Sequence, residues 1–502
     1  MEKLFGVDFG TGGCKATVIN LDGVVLASAS NEYPSIYEKP GYSEQDPALW
    51  IEAFIDTVTR CKEQMDDGFD GLLGLAVSAS THNAVLVDKN KEVIRPCIMW
   101  NDQRSSEECK ALEEHSEMIF DIAMAMPTPT WTLPQLMWVK NNEPENFEKI
   151  SEIYFTKDYV RSWVTGDYCT DIVDAQGSLL FDARKKEWSK ELCDLIGLSL
   201  EKLPPIRNSK EITGYVKEEV AKITGLPVGL PVIAGCSDTA AEDFSAGAVR
   251  EGQIIVKLAT AGNVNLVVNE ANPHKKSFTY PYSVEGKWYT VTATNTCAQA
   301  NRWLRDALYE TEKEIADEKG EDVYLQMNED AMKAPLGSDG LFFHPYLLGE
   351  RCPYFNPHAR AGFFGVSMIH KKAHFARAVL EGVAYSLYDC LQVLKNFTEN
   401  MEDIVIIGGG AKSPLWCQIV SDVFGLTVKA PENAESSFGG ALLLGVGVGA
   451  FKDEEEAANR CVRMKNVYEP NPKNHEEYAK RFEIYKDIVK ASEPIWEKIA
   501  AL

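Results

Sequence analysis

The chain has 502 residues and a formal net charge of −24, from 51 Lys and Arg against 75 Asp and Glu. Its 45% apolar and 25% charged residues are typical of globular proteins, which argues against a disordered or fibrous chain and predicts about three domains, or two large ones. The negative charge repels phosphate backbones and anionic lipid, so nucleic acids and membrane surfaces are excluded as expected partners. An anionic ligand would need positive potential from a metal, a helix N-terminus or backbone amides.

The sequence contains no membrane span. Its longest strongly apolar run, residues 442–451, is about half a span in length and is broken by three glycines. The N-terminus lacks the features of a secretory signal, and the twelve cysteines form no paired motif. We therefore expect a cytoplasmic protein with reduced thiols. Its expected partners are small molecules, and it could form a homodimer.

Short strands separated by turn residues open the chain. Three runs predict an antiparallel meander, at residues 4–8, 14–20 and 24–29. Apolar residues at helical spacing, with Pro47 in the first turn, predict a helix over residues 46–65. Further predictions are a buried strand at 72–77 with 84–88 as its partner, a largely helical stretch over 102–229, and a strand at 232–235.

The same series begins again near Gly252. Strands are predicted at 254–258, 263–268 and 288–293, a helix at 297–309, a strand at 404–407 and a helix at 415–424. The repetition predicts an α/β fold of two similar domains, residues 1–245 and 246–502, with glycine loops facing one cleft. The charged stretch 454–502 predicts a packed amphipathic helical tail.

The first candidate site is the loop after the first strand. Asp8 ends the strand, Gly10 and Gly12 allow a tight turn and a close approach, and Thr11 offers a hydroxyl. Such a loop suits phosphate. A carboxylate beside phosphate is repulsive unless a divalent cation lies between them, so Asp8 implies magnesium, directly or through water. A plain glycine hairpin is the alternative, and the spacing of a Walker loop is absent from this segment.

The second candidate is Asp238, which also follows a predicted buried strand. Its neighbours are small, which leaves room for a substrate hydroxyl to reach the carboxylate, as a general base requires. The alternative is that Asp238 caps the following helix, because aspartate is common at that position.

Two loops in the second half are further candidates. Thr260 lies in a predicted hairpin turn that would mirror Thr11. Residues 408–413, Gly-Gly-Gly-Ala-Lys-Ser, join a strand to a helix, where bare backbone could pack under an adenine ring or face phosphate. A plain turn between strand and helix explains this run equally well.

Taken together, these segments resemble the FGGY family of carbohydrate kinases, which belongs to the actin-like, ribonuclease-H-like ATPase superfamily. The resemblance spans almost the whole chain and includes residues 41–47 (GYSEQDP), 100–104 (WNDQR), 345–353 (PYLLGERCP) and 362–382. It implies two actin-like domains with a central cleft, and transfer of the γ-phosphate of MgATP to a sugar hydroxyl. Residues 43–47, 100–104 and the region of His82 look most like the xylulokinase branch, which implies D-xylulose as acceptor and D-xylulose 5-phosphate as product.

The resemblance also implies roles for individual residues. Asp238 matches the catalytic base, Asp8 and Asp238 the magnesium site, and Thr81, His82, Asp238 and Thr239 the sugar contacts. The implied contacts to ATP are Gly10, Thr11, Gly12, Lys15, Thr260, Gly262, Ala298, Gly409, Gly410, Ala411 and Ser413.

Several positions depart from the family pattern. Ser80-Thr81-His82-Asn83 replaces Gln-Met-His-Gly, Ala259-Thr260-Ala261 replaces Gly-Thr-Ser, Ser237-Asp238-Thr239 replaces Gly-Asp-Asn, and Gln135 stands where Lys is usual. Spare volume in a pocket discriminates weakly, so the shorter side chains at Ser80, Thr81 and Thr239 should broaden the acceptor range before they switch it. Another ketose or a polyol, of the ribulose, L-xylulose, erythritol or glycerol type, therefore stays open as the substrate.

Two other classes of function were weighed. A nucleotide-driven binding or regulatory protein on the same fold is disfavoured by the presence of Asp8, Asp238 and His82 together. A nicotinamide-dependent oxidoreductase is disfavoured because residues 408–410 lack the GxGxxG spacing and no acidic residue ends a following strand.

Overall fold

The computed structural model describes residues 1–502 and contains two α/β halves. The strands of the first half are β1 (Lys3–Gly10), β2 (Gly13–Asn20), β3 (Val25–Glu32), β4 (Glu44–Gln45), β5 (Leu72–Ala79), β6 (Ala84–Val87), β7 (Cys97–Ile98), β8 (Glu152–Phe155), β9 (Thr170–Asp171), β10 (Phe181–Asp182), β11 (Glu187–Trp188), β12 (Ile206–Arg207), β13 (Ile212–Tyr215) and β14 (Pro231–Ile233). Those of the second half are β15 (Ile254–Leu258), β16 (Gly262–Val268), β17 (Phe278–Pro281), β18 (Trp288–Thr294), β19 (Phe342–His344), β20 (Gly362–Phe364), β21 (Ile404–Ile407), β22 (Val428–Pro431) and β23 (Met464–Tyr468).

Helices surround both sheets. The first half contains α1 (Pro47–Glu63), α2 (Ser106–Leu112), α3 (Ser116–Ala123), α4 (Thr132–Asn142), α5 (Pro144–Lys149), α6 (Thr156–Thr165), α7 (Ile172–Gly177), α8 (Lys190–Asp194), α9 (Glu218–Thr224) and α10 (Asp238–Ser245). The second contains α11 (Ala298–Leu308), α12 (Glu310–Lys319), α13 (Val323–Lys333), α14 (Lys372–Leu394), α15 (Pro414–Phe424), α16 (Ser436–Gly447), α17 (Glu454–Cys461) and α18 (Pro472–Ala500). Short 3-10 turns lie at Glu113–His115, Leu200–Lys202, Leu336–Gly340 and Gly409–Lys412. None of these helices is both long enough and apolar enough to span a bilayer.

The two large sheets share one core arrangement. The first has the order β13-β14-β5-β1-β2-β3, in which β1 pairs antiparallel with β2 and parallel with β5. The second has the order β17-β18-β16-β15-β21-β22-β23, and β15 pairs antiparallel with β16 and parallel with β21 in the same way. The halves therefore repeat one topology, which confirms the predicted two-domain α/β fold.

Local signals explain the elements that were predicted correctly. The carboxylate of Asp46 accepts the N–H of Ala48 at 3.0 Å and caps α1, with Pro47 as its first residue. Trp50 and Phe54, one helical turn apart, are buried where α1 packs on β2 and β3. Cap and apolar spacing together place this helix within two residues of its predicted start and end.

Two predictions about elements were wrong. The strand at 84–88 was expected to pair with β5, but β6 pairs antiparallel with β8. The reason is that β1 and β14 already occupy both edges of β5. The tail at 454–502 was expected to be helical throughout, but it contains β23, which pairs with β22 at the edge of the second sheet.

A helix of the second half packs directly on the first sheet. A Cβ added at Gly6 of β1 would lie 1.9 Å from the carbonyl oxygen of Ser437, and one added at Gly439 would lie 1.8 Å from that of Ala241, so only glycine permits this approach of α16. The hydroxyls of Thr17 and Ser437 are 2.8 Å apart. Helices α10 and α16 thus join the halves next to the ends of β1 and β14.

Candidate active site

Three parallel strands bring the predicted carboxylates together. Asp8 of β1 is in register with Ser78 of β5, and Ala79 forms a parallel bridge with Ser237, which follows β14. The carboxyl ends of these strands therefore carry Asp8, Ser78 and Asp238 at one edge of the sheet, where ligands bind in open α/β sheets. The hydroxyl of Ser78 donates to Asp8 Oδ1 at 2.7 Å.

Asp238 does not cap the following helix. Ser237 is the cap of α10, and its Oγ accepts the N–H of Ala240 at 3.3 Å. Asp238 is the first residue of the helix, and its Oδ1 accepts the N–H of Thr239 at 2.7 Å and the hydroxyl of Thr239 at 3.3 Å. The capping interpretation is therefore wrong, and Oδ2 of Asp238 makes no hydrogen bond to the protein.

Burial disfavours the charged form of both carboxyl groups. It raises the pKa of Asp8 to about 7, with a further contribution from the charge of Asp238 and opposition from the Ser78 hydrogen bond. Burial likewise raises the pKa of Asp238, while Lys257 and Thr239 oppose the shift. Two adjacent carboxyl groups that repel each other suit a divalent cation, and their oxygens are the ligands magnesium prefers.

The pair fits magnesium in a particular way. No group of three or more His, Cys, Asp or Glu side chains is arranged to hold a metal ion. The protein would therefore supply Asp8 and Asp238, and the remaining ligands would be phosphate oxygens and water, as is usual for this ion.

Lys257 brings a positive charge from the second half to this group. It lies on β15, three residues before Thr260, and its Nζ forms an ion pair with Glu242 on α10 at 2.5 Å. Glu242 is one helical turn beyond Asp238, so both face the same side of α10. Lys257 thus provides local positive potential in a chain of net charge −24. Sequence analysis missed it, because a lysine within a strand carries no motif.

A third carboxyl group on α10 adds to the negative charge near Lys257. Asp243 is buried, and burial raises its pKa to about 8 although Asn265 donates to both of its oxygens at 2.9 Å. The pKa of Lys257 is raised, because Glu242, Asp238 and Asp243 together outweigh the opposing effect of its own burial.

The first glycine loop holds Thr11 in a defined position. The indole N–H of Trp100 donates to Thr11 Oγ1 at 2.8 Å, and Gln45 Nε2 donates to the Thr11 carbonyl at 2.6 Å. A hydroxyl that accepts one hydrogen bond keeps its own proton to donate, so Thr11 can still donate to a phosphate oxygen. Gly12 is exposed with open space around it, and Gly10 precedes the turn.

Lys15 lies outside the loop that contains Thr11. It lies on β2, in register with Asp8, and its ammonium forms an ion pair with Glu435, which precedes α16. The structure therefore shows Lys15 as a contact between the halves.

In the second half, the turn between β15 and β16 presents Thr260 to solvent. Its carbonyl accepts the N–H of Cys297 at 3.0 Å, and the carbonyl of the preceding residue accepts that of Ala298 at 2.7 Å, which ties the start of α11 to the turn. Gly262 is buried, and an added Cβ would lie 2.8 Å from the Leu387 side chain. Thr260 is thus accessible to a ligand, whereas Gly262 is required for packing.

The glycine run after β21 likewise contains one residue that is accessible to a ligand and others that pack against the protein. Gly409 begins a 3-10 turn with open space around it, and Ala411 follows, half-buried. A Cβ at Gly410 would lie 3.0 Å from the ring of Trp416, and Ser413 Oγ accepts the Trp416 N–H at 3.2 Å to cap α15. Gly409 is therefore the member of this run that can approach a ligand most freely.

His82 lies in the turn after β5, and its ring is buried 5.0 Å from that of Trp131. Burial lowers its pKa to about 3, so the imidazole is neutral at pH 7. Its Nδ1 is buried and has no hydrogen-bond partner within the protein. A neutral imidazole with a free ring nitrogen can bond a sugar hydroxyl. Thr81 lies beside it, half-buried.

Aromatic rings extend from His82 toward Asp238. Trp131 contacts Phe278 and Tyr280 of β17, with ring centroids 5.7 and 6.3 Å apart. The pKa of Tyr280 is raised by burial and, to a lesser extent, by the charge of Asp238. Sequence analysis missed these rings. Trp131 lies four residues before Gln135, a position compared with the family pattern, so the sequence offered a signal for it. No motif in the sequence points to Tyr280.

Asn83, one of the departures from the family pattern, joins the two binding loops. Its Nδ2 donates to the carbonyl and hydroxyl of Ser80 at 2.9 Å, and its Oδ1 accepts the backbone N–H of Trp100 at 2.6 Å. Because the indole of Trp100 bonds Thr11, hydrogen bonds connect the loop of His82 with the loop of Thr11.

Comparisons with known proteins match both halves. The model of the N-terminal domain of the FGGY family of carbohydrate kinases matches residues 4–245. The model of the C-terminal domain of the same family matches residues 259–447.

Individual relatives cover nearly the whole chain. A xylulose kinase of Bacillus subtilis is 31% identical over 492 residues, 97% of each chain. A gluconokinase of the same species is 29% identical over 504 residues, 99% of this chain and 97% of the relative. The crystal structure of xylulose kinase from Rhodospirillum rubrum superposes with a TM-score of 0.91 at 26% identity, covering 99% of this chain and 100% of that one.

Proposed function

The chain belongs to the FGGY family of carbohydrate kinases. From that premise we propose that it transfers the γ-phosphate of MgATP to a terminal hydroxyl of a ketopentose, with D-xylulose as the preferred acceptor. We propose that this reaction takes place in the cytoplasm. The observation that carries the proposal is the pairing of Asp238 with Asp8 at adjoining strand ends. His82, whose buried Nδ1 has no partner within the protein, is the proposed sugar contact, and Thr11 and Thr260 in the two glycine-containing turns are the proposed phosphate contacts.

Each residue has a role suited to phosphoryl transfer, which asks for positioning and charge compensation. Asp238 accepts the proton of the attacking hydroxyl through its free Oδ2, late in the step, because an alcohol is much less acidic than a carboxyl group. Thr11 and Thr260 donate hydrogen bonds to phosphate oxygens. Asp8 and Asp238 would hold magnesium, which when bound offsets the negative charge of the phosphates.

The electrostatics favour an uncharged acceptor over an aldonate. Gluconate carries a carboxylate, and the carboxyl groups of Asp8, Asp238, Glu242 and Asp243 lie near the ammonium of Lys257, while the buried guanidinium of Arg351 acts on Tyr280. His82 adds no charge, because its pKa is lowered to about 3. An acceptor carboxylate close to Asp8 and Asp238 would meet repulsion from them. We therefore infer a ketose or polyol acceptor, although a gluconokinase is among the relatives.

The test is sugar-dependent ADP release over a panel of D-xylulose, D-ribulose, L-xylulose, erythritol, glycerol and gluconate. D-xylulose should give the highest kcat/KM, other uncharged acceptors should be weaker, and gluconate should be inactive. Activity on another ketose or polyol but none on D-xylulose would keep the kinase and overturn the xylulose assignment. Preference for gluconate would overturn the electrostatic reasoning.

A further inference from the structure

Two buried side chains hold the backbone of His82 from opposite sides. The N–H of His82 donates to Asp174 Oδ1, on α7, at 3.1 Å. The carbonyl of His82 accepts the hydroxyl of Thr132, the first residue of α4, at 2.6 Å. Thr132 is completely buried and Asp174 is 1% exposed, so water does not compete for either bond.

His82 needs such support because of its backbone conformation. Its φ is +56°, in the left-handed region that residues other than glycine adopt uncommonly, although histidine is among those that adopt it more often. A neighbouring conformation would turn the imidazole and its free Nδ1 in another direction. Hydrogen bonds to both the N–H and the carbonyl of one residue favour the observed conformation over its alternatives.

Asp174 is itself fixed by a buried lysine. Lys157 Nζ lies 3.1 Å from Asp174 Oδ2, 2.6 Å from Asp158 and 3.1 Å from Asp171, and none of the Lys157 side chain is exposed. A lysine held by three carboxyl groups has little freedom, so it fixes the Asp174 carboxylate that accepts the hydrogen bond from the N–H of His82. The chain of contacts runs from α6 through α7 to the loop of His82.

We propose that Thr132 and Asp174 are positioning residues that aim the imidazole of His82 at one sugar hydroxyl and thereby set acceptor specificity. The proposal rests on the proposed function, because it takes His82 as a sugar contact. A site built to bond one hydroxyl rejects an analogue that lacks it far more strongly than a merely roomy pocket does. Loosening His82 should therefore weaken sugar binding and reduce discrimination between acceptors, without affecting ATP.

The test compares Thr132→Val, which keeps the shape but removes the hydroxyl, with Thr132→Ser, which keeps the donor. Thr132→Val should raise the KM for D-xylulose on the order of tenfold, leave the KM for ATP unchanged and narrow the preference for D-xylulose over D-ribulose. Thr132→Ser should restore most of the wild-type value. Thr224→Val is the matched control, because Thr224 is also buried and donates to a backbone carbonyl, that of Val220 at 2.8 Å, on the distant α9.

A double-mutant cycle with His82→Ala separates positioning from a general loss of structure. If Thr132 acts through His82, Thr132→Val should add almost nothing to the sugar KM of His82→Ala. Additive effects, an equal rise in the KM for ATP, or the same change in Thr224→Val would overturn the inference while leaving the kinase in place. A wild-type protein without sugar-dependent ADP release would instead overturn the proposed function, and this inference with it.

Discussion

Asp8 and Asp238, the residues proposed to bind magnesium and to accept the sugar proton, show how a buried carboxyl group can oppose stability. Both carboxyl groups have raised pKa values, because burial disfavours their charged forms, and the charge of Asp238 adds to the shift of Asp8. A carboxyl group whose pKa is higher in the folded than in the unfolded state binds more protons when folded, so its contribution to stability falls as the pH rises. At neutral pH the ligand-free site therefore works against the fold.

Replacing Asp238 by Asn should separate these two effects. The variant loses the proton acceptor, so turnover with D-xylulose should fall by ~10²–10⁴. Its melting temperature should stay equal or rise, because a disfavoured buried charge is gone, and MgADP binding by calorimetry should persist. Turnover within about twofold of wild type would show that Asp238 is not the base.

For Asp8 the prediction concerns pH. The pKa of Asp8 is about 7 in the fold against an ordinary value of 3.8, so the stabilising contribution is complete below about pH 4 and is lost as the pH rises through 7. In Asp8→Asn the unfolding free energy, measured with urea in a chelator, should therefore decline less between about pH 5 and about pH 8 than in wild type. Its turnover should also need more magnesium. Identical pH profiles and identical magnesium titrations would leave Asp8 as a turn residue only.

Among the secondary-structure elements, the sequence could predict those strands and helices that are determined by residues close together in the chain. The strands β1 to β3, the helix α1 and the second series from β15 follow from local alternation, turns and caps. The pairing of β6 could not be predicted, because the edges of β5 are taken by strands far apart in the chain. Lys257 and Asp174 lie on an ordinary strand and helix, and only tertiary contacts bring them to the site.

The contact of β15 with α10 gives a prediction at this scale. Lys257→Met should lower the unfolding free energy by about 1–3 kcal/mol, because the largely buried carboxyl group of Glu242 is left without its partner. The double variant Lys257→Met with Glu242→Gln should recover part of that loss, since one unpaired charge is removed with it. Urea unfolding of the two singles and the double measures this coupling. Strictly additive losses would mean that the pair does not join the elements.

The whole molecule has two halves of one topology, with α10 and α16 between them. His82, the proposed sugar contact, belongs to the first half, and Thr260 and Gly409, the proposed ATP contacts, belong to the second. A transfer between ligands held by different halves requires the halves to approach each other, and closure also excludes water as a competing acceptor. The family and the repeated sheets could be predicted from the sequence, whereas the packing of α16 on β1 depends on the close approach at Gly6 and Gly439.

Small-angle scattering should detect this closure. With MgATP and D-xylulose together, the slow variant Asp238→Asn should show a smaller radius of gyration than without ligands, approaching the value of about 23 Å expected for a compact chain of this length. Either ligand alone should give a smaller change. A radius that stays constant under all four conditions would contradict closure.

The most direct test of the account follows the phosphate itself. Wild-type protein is incubated with MgATP and D-xylulose, and phosphorus NMR with proton coupling identifies the products. A kinase that phosphorylates C5 of D-xylulose should give a phosphate monoester signal split by the two protons of C5, formed in equal amount to ADP, and almost no reaction without sugar. ADP and inorganic phosphate formed at the same rate with and without every sugar would contradict it, and would favour a nucleotide-driven regulatory protein on the same fold.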